Sequence, residues 1–193
     1  MSEREQQSGL NDRDKAQLKV MGSMLESLRD AFVSGDSDGA SVVVRQLVQV
    51  DIDWGRVRDC LHVPEDAGEC AEGLQQILLR IPDGWGRYVR ASKGWYPILV
   101  RLDEALTALD PDYRVYQVKE KLGCLRYYFG TDRDEVQGAM NDLVAAAEAA
   151  AERTCEECGD TGTGVRLRSD HYRYQTLCEQ CADRRSDRTL RPI

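Results

Sequence analysis

The sequence predicts an α+β protein: a helical N-terminal part, a helix–β-hairpin–helix middle, and a C-terminal zinc ribbon or treble-clef-like module. Three observations carry this reading. Apolar residues recur at three- and four-residue steps through much of the chain before Asp110 and again after Asp132, the period of an amphipathic helix. Between those stretches Tyr113–Lys119 and Cys124–Phe129 alternate and are rich in Val and Tyr, the period of a strand. Near the C-terminus stand two Cys-x-x-Cys pairs, Cys155/Cys158 and Cys178/Cys181, with nineteen residues between them, a spacing that reads as a four-thiolate metal site.

The elements follow in chain order. Residues 1–11 are polar and are expected to be disordered. Leu18, Met21, Leu25, Leu28 and Phe32 share one face of a helix from about Asp12 to Val33, with Asn11 or Asp12 as cap and Gly35 as stop. The segment 41–50 is ambiguous, β-branched like a strand but spaced like a helix at Val43, Leu47 and Val50, and its neighbours favour helix. Asp53 caps a short helix carrying Trp54 and Val57. Pro64 opens another, with Leu74, Ile77, Leu78 and Ile81 along it, closed by a turn at Pro82-Asp83-Gly84. Pro97 suits a first helical turn, and Ile98, Leu102, Leu106 and Leu109 continue that helix until Asp110-Pro111. The two alternating segments form an antiparallel hairpin, with Gly123 supplying the special backbone angle. Thr131 or Asp132 followed by Asp134 or Glu135 is a capping signature for an Ala-rich helix running into Cys155. The expected domains are 12–83 (helical), 84–153 (helix–hairpin–helix) and 154–185 (metal module), with a tail at 186–193.

Each Cys-x-x-Cys is expected to fold as a knuckle that turns two sulfurs toward one ion, Gly159 permitting the tight turn. The intervening segment supplies a hairpin with arms at 165–168 and 172–177. Cys155, Cys158, Cys178 and Cys181 would then hold a structural Zn2+, because four protein thiolates leave no position open for water or substrate. A redox dithiol normally sits beside a βαβ unit, which the pattern lacks. An iron centre with the same ligands is the other alternative.

Charge limits the partners. Twenty-six basic and thirty-four acidic residues give a net −8. From Arg153 onward eight arginines face seven acids, so the preceding 152 residues carry −9. A chain of this sign is not a bulk nucleic-acid coat, and its acidic part favours a protein partner with a basic surface. Seven cysteines, a polar N-terminus and no long apolar run point to a reducing, cytoplasmic setting without membrane spans.

Candidate partner-binding residues fall in two groups. Arg166, Arg168, Tyr172, Arg173 and Tyr174 interleave base and aromatic on the metal module, a pattern that could grip nucleic acid or serve a protein interface; nearby acids make a solvated surface the competing reading. Lys119, Lys121 and Arg126 surround the hairpin turn and could meet an acidic partner. Trp95 belongs to Gly94-Trp95-Tyr96, which with Gly84-Trp85-Gly86 could line an aromatic groove, although a packed core is the stronger reading. No phosphate-cradling Gly loop, nucleophile elbow or zinc-hydrolase motif occurs, so no enzyme is expected.

Taken together, GWYPIL (94–99), QVKEKLGCLRYYF (117–129), AEAAAERTCEECG (147–159) and TLCEQC (176–181) resemble a group of small phage and bacterial proteins with a Gly-Trp-Tyr helix, a hairpin of the VKEKFG type and a C-terminal four-cysteine module. The resemblance covers about residues 84–182. Leu122 and Cys124 depart from the Phe and small residue of that pattern. It implies zinc binding at Cys155, Cys158, Cys178 and Cys181 and no particular activity. The resulting expectation is a non-enzymatic, zinc-binding regulatory or interaction protein, phage-related and acting by protein contact, with a nucleic-acid-binding regulator as the alternative.

Overall fold

A computed structural model describes residues 12–50, 52–169, 173–185 and 191–192. It is a mixture of helices and small sheets, in two units that divide after Cys60.

The first unit is a helical hairpin followed by one short helix. α1 (Asp12–Ser34) and α2 (Ser37–Val48) are joined at Gly35, whose φ of 73° reverses the chain. The Asp36 carboxylate accepts from the Gly39 N–H and caps α2. This resolves the 41–50 segment as helix. α3 (Trp54–Asp59) is capped as expected by Asp53, which accepts from the Arg56 N–H. Among the described residues of this unit few side chains are buried: Ala40, Ile52 and Cys60 are, whereas Leu25 is 50% and Phe32 71% exposed. The stripe on α1 is therefore not core throughout, because one partner helix cannot cover a whole apolar face.

The second unit holds the main core. α4 (Ala71–Leu79) is preceded by a short 3-10 turn, so the helix expected from Pro64 begins seven residues later. Its Leu74, Ile77 and Leu78 share one core with Trp95, Leu99, Leu102 and Leu106 around α5 (Tyr96–Leu109). The boundary expected at residue 84 thus cuts through one core, and the division lies at Cys60 instead. β2 (Arg114–Lys121) and β3 (Cys124–Gly130) form the hairpin, with Lys121 opposite Cys124 and both turn residues at positive φ: Leu122 at 55° and Gly123 at 76°. That is a two-residue turn matching the strand twist. The sequence reading missed β1 (Val89–Arg90), which pairs parallel to β2 and makes a three-stranded sheet in the order β1-β2-β3. Val115, Val118, Leu125 and Tyr127 point from this sheet into the core.

α6 (Asp134–Ala151) covers the core with Met140, Val144 and Ala151. Its N-cap is Arg133 without a side-chain capping bond. Thr131, expected as a cap, instead donates its hydroxyl to the Asp110 carboxylate and accepts the Arg133 N–H. The start of α6 is thereby tied to the end of α5. A buried polar cluster closes the same side. The Asp103 carboxylate accepts from Arg80 Nε at 2.8 Å and from the Tyr113 hydroxyl at 2.5 Å, and Tyr113 meets the Tyr127 hydroxyl at 2.9 Å. Burial drives the pKa of both tyrosines up, so both stay neutral hydrogen-bonding groups.

The C-terminal part folds as β4 (Arg166–Ser169) paired antiparallel with β5 (Tyr174–Leu177), then α7 (Glu179–Asp183); β6 (Arg191–Pro192) pairs with β4. Among the described residues no helix is long and apolar enough to cross a membrane.

Candidate metal centre

The four cysteines converge. Cys155 and Cys158 lie on the loop after α6; Cys178 precedes α7 and Cys181 lies within it. The β4–β5 hairpin brings the second pair back onto the first. All four sulfurs lie within 4.8 Å of one another, and none of the cysteines is in a disulfide. Cys155, Cys178 and Cys181 are buried and Cys158 is exposed.

Backbone hydrogen bonds close the first knuckle, and backbone N–H groups of Asp160 and Cys181 donate to the Cys158 and Cys178 sulfurs. Cys155 N–H donates to Asp160 O at 2.7 Å and Gly159 N–H to Cys155 O at 2.9 Å, with Gly159 at φ 79°, the backbone freedom expected of it. A backbone bond from Cys181, aided by the neighbouring thiols, holds the Cys178 thiol below its ordinary pKa. Burial pushes Cys181 the other way, up to about 12, although Arg184 donates to its sulfur at 2.9 Å. A proton-free Cys181 is thus disfavoured until a cation compensates for the lost solvation. Four mutually close sulfurs with inward N–H donors and an arginine fit a single bound metal ion.

The site is docked on the main core by two glycines. Gly94 N–H donates to Glu156 O at 2.8 Å, and a Cβ on Gly94 would lie 2.1 Å from Cys155 O and 2.6 Å from Gly159 N. Only glycine permits that approach. The adjacent Trp95 donates its indole N–H to Thr154 O at 2.8 Å and is fully buried. On the other side Thr176 donates its hydroxyl to Gly123 O at 2.7 Å, and a Cβ on Gly123 would lie 2.1 Å from Leu167 Cδ1.

The remaining predicted site residues divide. Trp95 is not a partner-binding residue; it is core, and it positions the first knuckle. Arg168 is not a surface residue either. It is 6% exposed and donates to Leu177 O at 3.1 Å, fastening β4 to β5. Arg166, Arg173 and Tyr174 are exposed on the hairpin, Arg166 in an ion pair with Glu179. Tyr172 lies outside the described residues. Lys119, Lys121 and Arg126 are on the three-stranded sheet, remote in sequence from the cysteines.

One chain of groups had no sequence signal. Glu156, between two ligand positions, is 2% exposed. One carboxylate oxygen accepts from Gln175, whose own carbonyl accepts from Arg185, which also pairs with Glu157. The other oxygen has no hydrogen-bond partner, and burial raises the pKa of the group. Residues at the middle of a Cys-x-x-Cys are usually exposed, so nothing in the pattern marked Glu156 as interior.

No protein-family model, curated protein or solved structure matches the chain.

Proposed function

We propose that the chain is a non-enzymatic zinc protein of the cytoplasm that acts as a regulatory or interaction protein, through protein contact. The closed sulfur cage is the observation that carries this reading. A tetrahedral site with Zn–S distances of about 2.3 Å has sulfur–sulfur edges of about 3.8 Å, and Cys158 Sγ lies 3.7 Å from Cys178 Sγ. Knuckle, hairpin and a short helix carrying the last ligand make a treble-clef-like module. Bound zinc would supply structural energy: it replaces a core that four buried side chains cannot provide. Four protein ligands occupy the whole coordination sphere, which leaves the metal no substrate position.

The phage-type resemblance supports the same metal assignment. The acidic first 152 residues (net −9) favour a basic protein partner. The nucleic-acid reading of the metal module is weakened, since Arg168 is interior and Arg166 is paired with an acid. The test is elemental analysis of purified protein. One zinc per chain, lost when Cys178→Ser is introduced, is the expected result; the absence of stoichiometric metal would sink the reading. Affinity capture with the intact protein and an Arg166→Ala/Arg173→Ala variant then asks whether the partner engages this module.

A further inference from the structure

The outer face of the three-stranded sheet is the most unusual surface of the second unit. Helices α4–α6 cover its inner face. On the outer face the cross-strand row is Arg90, Lys119 and Arg126, one residue from each strand in register. Lys121 follows Lys119 on the same side, about 6.6 Å further along the strand, a spacing close to that of successive phosphates in an extended strand. No carboxylate among the described residues pairs with Arg90, Lys119 or Lys121; Arg126 is met by Glu148 at 3.3 Å. Glu120, the one acid of β2, alternates to the other side and stands near Glu156. In a chain of net −8, Arg90, Lys119 and Lys121 make a basic row on this face, bounded by the Arg126–Glu148 and Arg114–Asp132 pairs.

Aromatic rings fill the spaces between these cations. Tyr128 is 44% exposed with Lys119 Nζ at 5.4 Å from its ring centre, and Arg90 stacks over Tyr88 at 4.5 Å. Tyr116, set outward by the irregularity between Val115 and Gln117, pairs with Trp85 at 5.0 Å, and Trp85 is 56% exposed. Exposed rings of this size are costly in water, and here they stand beside Arg90 and Lys119, with which no carboxylate among the described residues pairs.

We infer that this sheet face binds single-stranded nucleic acid, with Arg90, Lys119 and Lys121 on phosphates and the Tyr128 and Trp85–Tyr116 rings stacking on bases. Charge complementarity selects a polyanion. Stacking planes select one whose bases are free, which a duplex cannot offer. The site is separate from the metal module and does not depend on the metal reading. Its failure would leave zinc stoichiometry untouched.

The experiment is fluorescence anisotropy of the full chain with a labelled mixed-sequence single-stranded RNA and DNA, the matching duplex, and a polyglutamate peptide of equal charge. Three phosphate contacts predict a log–log salt slope of about −2 and an affinity loss of about 20-fold between about 50 and 200 mM salt. The Arg90→Gln/Lys119→Gln variant should weaken binding by more than about tenfold and flatten the slope to about −0.7. Tyr128→Leu should weaken it by at least about fivefold with the slope unchanged. Arg166→Ala, on the metal module, should leave it as it is. These side chains are at the surface, and thermal unfolding of each variant verifies that the fold is kept. The inference is overturned by absence of salt-dependent binding, by equal binding of duplex or polyglutamate, or by loss in Arg166→Ala without loss in the sheet variants.

Discussion

The second unit contains two cores built on different principles. Between α4–α6 and the three-stranded sheet, nineteen buried apolar side chains close on one another; around the cysteines there are four, three of them cysteines of the cluster. The first core draws its stability from area removed from water. The second is too small for that, and on the proposed reading a bound metal ion would hold it together. The contrast teaches that the two halves should answer to different perturbations, and that the residues joining them should answer to both.

Metal removal is the largest expected effect. Structural zinc contributes on the order of 10–16 kcal/mol of apparent binding in small modules. Chelation, or Cys178→Ser, should abolish amide protection at Thr176 and Leu177 and release the Trp95–Thr154 bond, changing tryptophan emission. Far-UV ellipticity from α4–α6 should largely remain. Unchanged hydrogen exchange at Thr176 and Leu177 under chelation would remove the distinction between the cores.

Leu99→Ala perturbs the other side. Leu99 is fully buried in α5, and its truncation should cost about 2–5 kcal/mol in urea unfolding. Zinc content should not change, because Leu99 belongs to the apolar core and not to the cysteine cluster. Loss of metal in this variant would show that the two cores are one.

Gly94→Ala tests the joint. Its new Cβ would overlap Cys155 O and Gly159 N, backbone atoms that cannot rotate away. A cost of about 1–3 kcal/mol is expected, together with weaker zinc retention against a competing chelator. Destabilisation without any change in metal affinity would place Gly94 in the apolar core alone.

The joint also shows how much could be read before any coordinates. The Cys-x-x-Cys pairs marked the four cysteines that the fold brings together, because the spacing within each pair is a local property. The hairpin and most helices were legible because periodicity is local too. Gly94-Trp95 and Gly123 were visible as motifs, yet their purpose is to touch the cysteine module across 62 and 53 residues of chain, and no local pattern encodes that distance. Trp95 reads as core rather than groove, but its bond to Thr154 O beside the first knuckle does not show in the pattern, and Arg168 passes for a surface residue. β1, two residues long, offers too little alternation to detect. In the first unit the α1 stripe was correct as a helix face, but a pattern states which residues share a face and not what opposes it; hence Leu25 and Phe32 stand exposed.

The smallest expected effect lies at the edge of the apolar core and depends on pH. The Thr131 hydroxyl, followed by the Asp112 N–H, holds the Asp110 carboxyl below its ordinary range, although burial works against them. A carboxyl with a lowered native pKa contributes stability above its unfolded value of about 3.9 and loses it as the pH falls through the native value. Thr131→Val removes the largest cause. It should cost about 1 kcal/mol at neutral pH, with the difference from the parent protein shrinking as Asp110 becomes protonated. Zinc content at neutral pH should be unaffected, since Asp110 and Thr131 tie α5 to α6 at the end remote in sequence from Cys155. Urea midpoints at neutral pH and near pH 3 provide the measurement. A difference that persists undiminished in acid would mean that Thr131 acts through the backbone of Arg133, whose N–H it accepts at 3.0 Å, and not through the Asp110 charge.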